Sequence, residues 1–292
     1  MLLRKILVTT TAAAALLLPP TAATAAPAPA PAGAVTTTAS TGAVTTTAST
    51  GAVTTTASTG AVTTTASAGA GASATNPVIV VGGLSGVAIA YEPLAARLRG
   101  DGHRVSIYQL PGLGLGDIAA SARSFSGYVA QVRAATGAAR VDLVAHSEGG
   151  LVSRYYLKYL GGTGSVGRLV TLGSPHYGTY IADIAKFLGL GDCIGIVACQ
   201  QMTIGSAFLN DLNAGDDTPG TVRYTTVRTL QDELVRPTQN ATLADGATNV
   251  LIQTPCPLRI VGHLGLVLDG TTYTVIQDAL ADRAITPNCF AV

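Results

Sequence analysis

The sequence predicts an α/β chain with a mostly parallel central sheet flanked by helices, and three observations predict it. From about position 76 onward, apolar runs of strand length alternate with segments of helical spacing. The runs, such as Pro77-Val78-Ile79-Val80-Val81, are continuous rather than alternating, as strands buried on both faces require. Glycines punctuate the junctions, as at Gly82-Gly83 and Gly161-Gly162. Alternation of this kind builds parallel strands joined by right-handed helical crossovers.

The elements follow in order. After the first strand, Glu92 to Leu98 reads as a helix, with Pro93 in its first turn and Gly100 near its end. Val105 to Leu110 is the second strand, and Tyr128 to Ala135 sits in a second helix. Arg140 to Ala145 is the third strand, and Leu151 to Leu160 the helix behind it. Arg168 to Leu172 is the fourth strand. Val222 to Val227 and Val250 to Gln253 are further strands, and a helix from Tyr273 to Ala281 closes the fold. Between Tyr180 and Asp216 the pattern loosens. Ile181, Ile184, Phe187 and Leu188 have helical spacing, and Leu190, Ile194, Ile196 and Val197 follow in a Gly-rich stretch. Two readings stand: a buried helix pair, or an apolar cap region beside the active site that admits acyl chains.

The first part of the chain is different. Residues 1–25 read as a signal peptide: Arg4 and Lys5, then the apolar stretch Ile6 to Leu18, then Ala23-Thr24-Ala25 at the cleavage point. The apolar stretch is too short to span a bilayer, so the mature chain is expected to carry no transmembrane segment from this source. Residues 26–76 begin Pro/Ala-rich and become a repeat of Gly-Ala-Val-Thr-Thr-Thr-Ala-Ser-Thr, starting at Gly33, Gly42 and Gly51 and again, with a changed end, at Gly60. With only Val35, Val44, Val53 and Val62 to fill an interior, a disordered, glycosylatable linker is expected rather than a solenoid. Residues 77–292 are then one catalytic domain. The expected location is extracellular.

Composition narrows the partners. The 292 residues hold 17 basic and 16 acidic side chains, so no basic surface for nucleic acid is expected. Charged residues are only 11% of the chain, against about 25% in ordinary soluble proteins. That suits an apolar surface or an apolar substrate. The four cysteines, Cys193, Cys199, Cys256 and Cys289, form an even set in a chain read as exported, which argues for two disulfides. The first two are near enough to close a small loop, leaving Cys256 for Cys289. Neither C-x-x-C nor a histidine at ligand spacing accompanies them, so no metal site is expected.

The chemistry concentrates at Ala145-His146-Ser147-Glu148-Gly149. A strand runs into it and a helix runs out, which is the setting of a nucleophile elbow. Ala145 and Gly149 supply the small residues that the close strand–helix approach demands. Ser147 as nucleophile needs a base, and the base needs an orienting acid, in the order Ser, acid, His. His103 and His146 precede Ser147. His176 follows too soon to leave room for the acid-bearing strand and is read as a satisfied loop histidine. His263 is the expected base. Asp232, on the loop after the strand ending at Val227, is the expected acid. Glu233 competes with it, and whichever of the two is not the acid is expected to be a solvated loop charge. The oxyanion of the transition state needs two main-chain N–H donors. Glu148 supplies one, and Leu84, in the loop Gly82-Gly83-Leu84-Ser85-Gly86, the other. This loop lacks the Lys and Ser/Thr of a phosphate cradle. Such chemistry needs no cofactor.

Val80-Val81-Gly82-Gly83-Leu84, Ala145 to Leu151, Gly173-Ser174-Pro175-His176-Tyr177-Gly178-Thr179, Asp232 with Val235 and Pro237, and Gly262-His263-Leu264-Gly265 together resemble secreted actinobacterial triacylglycerol lipases and esterases of the α/β-hydrolase superfamily. Members often carry His-Gly where this chain has Gly82-Gly83. The resemblance spans roughly residues 76–284. It implies an α/β-hydrolase fold, Ser147, Asp232 and His263 as the triad, Leu84 and Glu148 as oxyanion donors, and lipid esters, met in some cases at a lipid–water interface, as substrates. Esterase, polyesterase and acyltransferase activities share the same triad, and a non-enzymatic surface-binding protein is the reading from another class.

Overall fold

A computed structural model describes residues 75–190 and 193–292. The leader and the repeat lie outside the described residues. Six parallel strands form one sheet: β1 (Val78–Val81), β2 (Val105–Tyr108), β3 (Val141–His146), β4 (Val166–Leu172), β5 (Arg223–Arg228) and β6 (Thr248–Leu251), in the order β2-β1-β3-β4-β5-β6. All of the expected strands are present, within a few residues of the expected ends.

The continuous apolar runs are explained by the two cores they serve. Successive side chains of a strand point to opposite faces. Ile79, Val81, Leu143, Ala145 and Leu169 enter one core, with Phe125 and Leu151 from the helices α2 (Ile118–Thr136) and α3 (Glu148–Tyr159). Val78, Val80, Val144, Val170 and Val227 enter the other, with Leu94 and Leu98 of α1 (Glu92–Gly100) and Val275 and Ile276 of the last helix, Gly270–Leu280. Each large apolar side chain buried this way contributes about 1.5–3 kcal/mol.

Helix α2 is longer than expected. It begins at Ile118, behind an Asp117 N-cap whose side chain accepts from the Ala120 N–H, and its buried face is Ile118, Ala122, Phe125 and Val129. The loosely patterned segment forms three short helices rather than a pair: α4 (Ile181–Phe187), α5 (Val197–Gln201) and α6 (Ala207–Leu212). The Gly270–Leu280 helix is therefore α7. Both cysteine pairs sit at disulfide spacing, with Cα atoms 5.7 Å apart for Cys193–Cys199 and 5.3 Å for Cys256–Cys289. Among the described residues no helix is long and apolar enough to cross a membrane.

The strand order places the site. The chain winds outward from β1 to β2 and then returns past β1 to β3, so the crossovers diverge between β1 and β3. In such sheets ligands bind outside the carboxyl ends of the strands at this switch point. Here the β1 end leads into Gly82-Gly83-Leu84 and the β3 end into Ser147.

Candidate active site

Ser147 stands alone between β3 and α3 with φ 53° and ψ −126°, a conformation that costs a non-glycine residue on the order of 1–3 kcal/mol. Ser147 N–H is held by the Leu172 carbonyl at 2.9 Å, which anchors the turn to β4. Two glycines make the turn feasible by close approach. A Cβ at Gly149 would come within 2.5 Å of the Gly82 carbonyl oxygen and 2.7 Å of that of Val81. A Cβ at Gly83 would come within 2.8 Å of the Ser147 Cβ. The loop after β1 therefore lies directly on the turn that carries Ser147.

His263 follows a short loop beyond β6 and is 1% exposed. Its Nδ1 lies 2.9 and 3.0 Å from the two carboxylate oxygens of Asp232. Asp232 Oδ1 also accepts the N–H groups of Leu234 and Val235, at 2.9 and 2.7 Å, so the loop after β5 fixes the carboxylate from behind. Glu233 is exposed, as expected of a loop charge, but it is not idle. Its Oε2 accepts the His263 N–H at 2.9 Å, so adjacent side chains of one loop hold the ring and the main chain of the same histidine. The side chains of neighbouring loop residues do diverge, as expected, and the exposed second one also reaches the backbone. His176 is buried, with Nε2 3.0 Å from the Thr171 hydroxyl, and its burial depresses its pKa well below the ordinary histidine value.

Ser147 and His263 line one cavity of about 310 Å³. Its remaining walls are mostly apolar, with Leu84 and Val87 from the β1 loop, Ile184 and Phe187 from α4, Met202 beside α5, and Leu268 beyond His263. The Gly82, Gly83, Ser85 and Gly86 N–H groups are each taken up, by the Tyr108 carbonyl, the Tyr91 hydroxyl, the Leu113 carbonyl and the Gly83 carbonyl. Among the described residues, the N–H groups of Leu84 and Glu148 have no hydrogen-bond partner. The Glu148 side chain turns inward instead. It is fully buried, both carboxylate oxygens are unpartnered, and burial pushes its pKa well above the ordinary carboxylate range. No group of His, Cys, Asp and Glu able to hold a metal occurs among the described residues.

Two residues at the cavity were not singled out from sequence as parts of the site. Tyr91 and His146 line it and hydrogen-bond to each other, Oη to Nδ1, at 3.1 Å. The order rule excludes His146 as base and says nothing of other roles. Tyr91 sits at the start of α1 and has no local pattern that points to it.

A parallel sheet with a strained serine between strand and helix, and an Asp–His pair beyond later strands, defines the α/β-hydrolase fold. Solved structures agree on the fold. Lipase B of Aspergillus fumigatus superposes with a TM-score of 0.62 at 21% identity, over 73% of this chain and 53% of that one. Lipase BlEst2 of Bacillus licheniformis, in its mature form, superposes with a TM-score of 0.58 at 20% identity, over 72% of this chain and 93% of that one. The family model "Lipase (class 2)" matches residues 121–260. Triacylglycerol lipases of Pseudarthrobacter phenanthrenivorans and Burkholderia plantarii are each 33% identical over 146 residues, 48% of this chain. The matched stretch covers 44% and 39% of those two proteins, so the chain spans less than half the length of the curated relatives it matches. The resemblance to lipases and esterases read from the motifs is borne out.

Proposed function

We propose that the chain is a secreted serine hydrolase that cleaves carboxylic esters of lipids, triacylglycerols first among them, through a Ser147–Asp232–His263 triad. The observation that carries this reading is the strained Ser147 sharing an apolar cavity with a His263 ring held by Asp232. Ser147 Oγ attacks the ester carbonyl carbon, and its proton passes to His263 Nε2. Asp232 keeps the His263 hydrogen on Nδ1 and stabilises the imidazolium that forms. The developing oxyanion accepts from the free N–H groups of Leu84 and Glu148. The tetrahedral adduct collapses, the alcohol leaves with the proton from His263, and an acyl group remains on Ser147. Water, deprotonated by His263, then releases the acid and restores the serine. No cofactor enters.

The apolar lining favours lipid acyl chains over polar acyl groups. Val87, Phe187, Leu264 and Leu268 are partly exposed at the cavity, so its mouth is apolar as well, which suits a substrate met at a lipid–water interface. The leader-like residues 1–25 and the two cysteine pairs favour export, and residues 77–292 act as the catalytic domain behind the linker 26–76.

The test is covalent labelling by a fluorophosphonate together with turnover of nitrophenyl esters of rising acyl length. Ser147→Ala is expected to lose labelling and nearly all turnover, leaving on the order of 10³–10⁴ over water. Retained labelling would refute the nucleophile, and a preference for acetate over longer chains would refute the lipid assignment.

A further inference from the structure

A chain of hydrogen bonds runs along the cavity between the oxyanion loop and His263. It begins at the Gly83 N–H, which donates to Tyr91 Oη at 2.9 Å. Tyr91 Oη is 3.1 Å from His146 Nδ1. His146 Nε2 is 3.2 Å from the main-chain carbonyl oxygen of His263. The two ends fix the direction of every bond, because a peptide N–H only donates and a carbonyl only accepts. Tyr91 Oη therefore accepts from Gly83 and gives its single proton to Nδ1. His146 then carries its hydrogen on Nε2 and donates it to His263. With His146 neutral, no link can reverse without breaking another.

His146 remains neutral in this arrangement. Its burial, then the nearby His263, push its pKa down to about 3, against the opposing pull of the bond to the His263 carbonyl. It therefore does not compete for the proton that His263 takes up. The other main-chain ties of the two ends point away from each other. The β1 loop is held to Tyr108 and Leu113 on the β2 side, and His263 to Glu233 and Leu266 on the β5 and α7 side.

We propose that Tyr91 and His146 are positioning residues, and that the chain Gly83–Tyr91–His146–His263 sets the spacing between the Leu84 oxyanion donor and the base. This rests on the assignment of Ser147, His263 and Leu84 made above. The Leu84 N–H follows Gly83 directly, so a loop that slips from Tyr91 carries its oxyanion donor away from the reacting carbonyl. Oxyanion stabilisation is a transition-state interaction, so the loss falls on kcat and not on KM.

The experiment compares kcat and KM of the full chain on one soluble nitrophenyl ester for Tyr91→Phe, His146→Leu, His146→Gln and the double variant Tyr91→Phe/His146→Leu. Affinity for a trifluoromethyl ketone, which adds to a serine hydroxyl as a hemiketal oxyanion, is measured beside it, and melting temperatures confirm folding. Tyr91→Phe and His146→Leu are expected to lower kcat about tenfold to a hundredfold at unchanged KM, as small misplacements do. Ketone affinity is expected to fall by a similar factor. His146→Gln, which keeps a donor, is expected to recover part of the loss. The double variant is expected to cost no more than the worse single one, because groups acting as a unit are not additive. If His146→Leu does not fold, Tyr91→Phe decides. Wild-type kcat in Tyr91→Phe, a rise in KM alone, or multiplying losses in the double variant would overturn the proposal. Ser147→Ala in the same assay separates the two readings. If that variant keeps turnover, the site assignment itself fails; if it is dead while Tyr91→Phe matches wild type, only the positioning role fails.

Discussion

The cavity has two walls of unlike construction. One is made of strand ends, the β1 loop and the start of α3, and it carries Ser147, Asp232 and His263 on segments anchored to the sheet. The other is made of α4 and the Met202 end of α5, short helices that present Ile184, Phe187 and Met202. This second wall is tied to the first by a few polar links. Arg236 Nε donates to the Asp183 carboxylate at 3.0 Å, and the Thr179 hydroxyl donates to the Leu234 carbonyl at 2.7 Å while accepting the Arg236 N–H at 2.9 Å. Both links reach the loop that follows Asp232. The difference teaches a division of labour: one wall holds its polar residues at strand ends and the turns that leave them, and the other supplies apolar surface from short helices joined to the first at the loop after Asp232.

Breaking the sheet wall gives the largest effect. Asp232→Asn presents a hydrogen where His263 Nδ1–H needs an acceptor, and kcat is expected to fall by roughly 10⁴ with little change in Tm. Steady-state kinetics beside a thermal melt check this, and a loss of less than tenfold would move the acid elsewhere.

The cysteine pairs sharpen the comparison in stability. Cys256–Cys289 closes a loop with a sequence separation of 33 that contains His263, and Cys193–Cys199 one of 6 in the helical wall. Constraint of the unfolded chain grows with loop length. Cys256→Ser is expected to lower stability by about 2–4 kcal/mol, and Cys193→Ser by less. Denaturant midpoints of the two variants rank them.

The helical wall should answer in specificity. Phe187→Ala removes a partly exposed ring that lines the cavity, so melting should barely change. The ratio of kcat/KM for long over short acyl esters is expected to shift by up to roughly tenfold, the scale of a few kcal/mol at most in an apolar pocket. An unchanged ratio would mean that α4 does not meet the acyl chain.

The smallest effect belongs to Glu148, whose carboxyl is buried beneath the sheet wall. Its folded pKa lies above that of the unfolded chain, so the folded state binds its proton more tightly. Stability attributable to it is complete below the ordinary carboxylate range and is lost as pH rises through the elevated folded value. Glu148→Gln has no proton to lose, and its Tm is expected to fall less than that of the wild type between mildly acidic and alkaline pH. Parallel pH–Tm curves for the two would contradict this.

How much was legible in the sequence follows the same division. Strands buried on both faces must be continuously apolar, so Val78–Val81 and Val141–His146 announce themselves. The elbow is legible because strand, serine and small flanking residues are local. Ser147, Asp232 and His263 were picked out by order along the chain, and the structure brings Asp232 against His263 and sets Ser147 and His263 in one cavity. The first turns of α2 were missed because Ser121, Ser124, Ser126 and Gly127 dilute a periodic face that Ile118, Ala122, Phe125 and Val129 nonetheless form. Of the short helices, α4 showed in the helical spacing of Ile181, Ile184 and Phe187, whereas α5 and α6, of 5 and 6 residues, are too short to present a periodic face. The bonds of Glu233 to His263 and of Tyr91 to His146 span 30 and 55 positions, and they exist only once the sheet has brought their loops together.

The order of the strands also has a consequence in time. Ser147 is synthesised well before Asp232 and His263, since His263 lies beyond β6, the last described strand of the sheet. At 5–20 residues per second, the histidine leaves the ribosome on the order of ten seconds after the serine. A growing chain thus carries Ser147 for that time without the Asp232–His263 pair, and the cavity that Ser147 and His263 share exists only once the segment beyond the final described strand, β6, has been laid down.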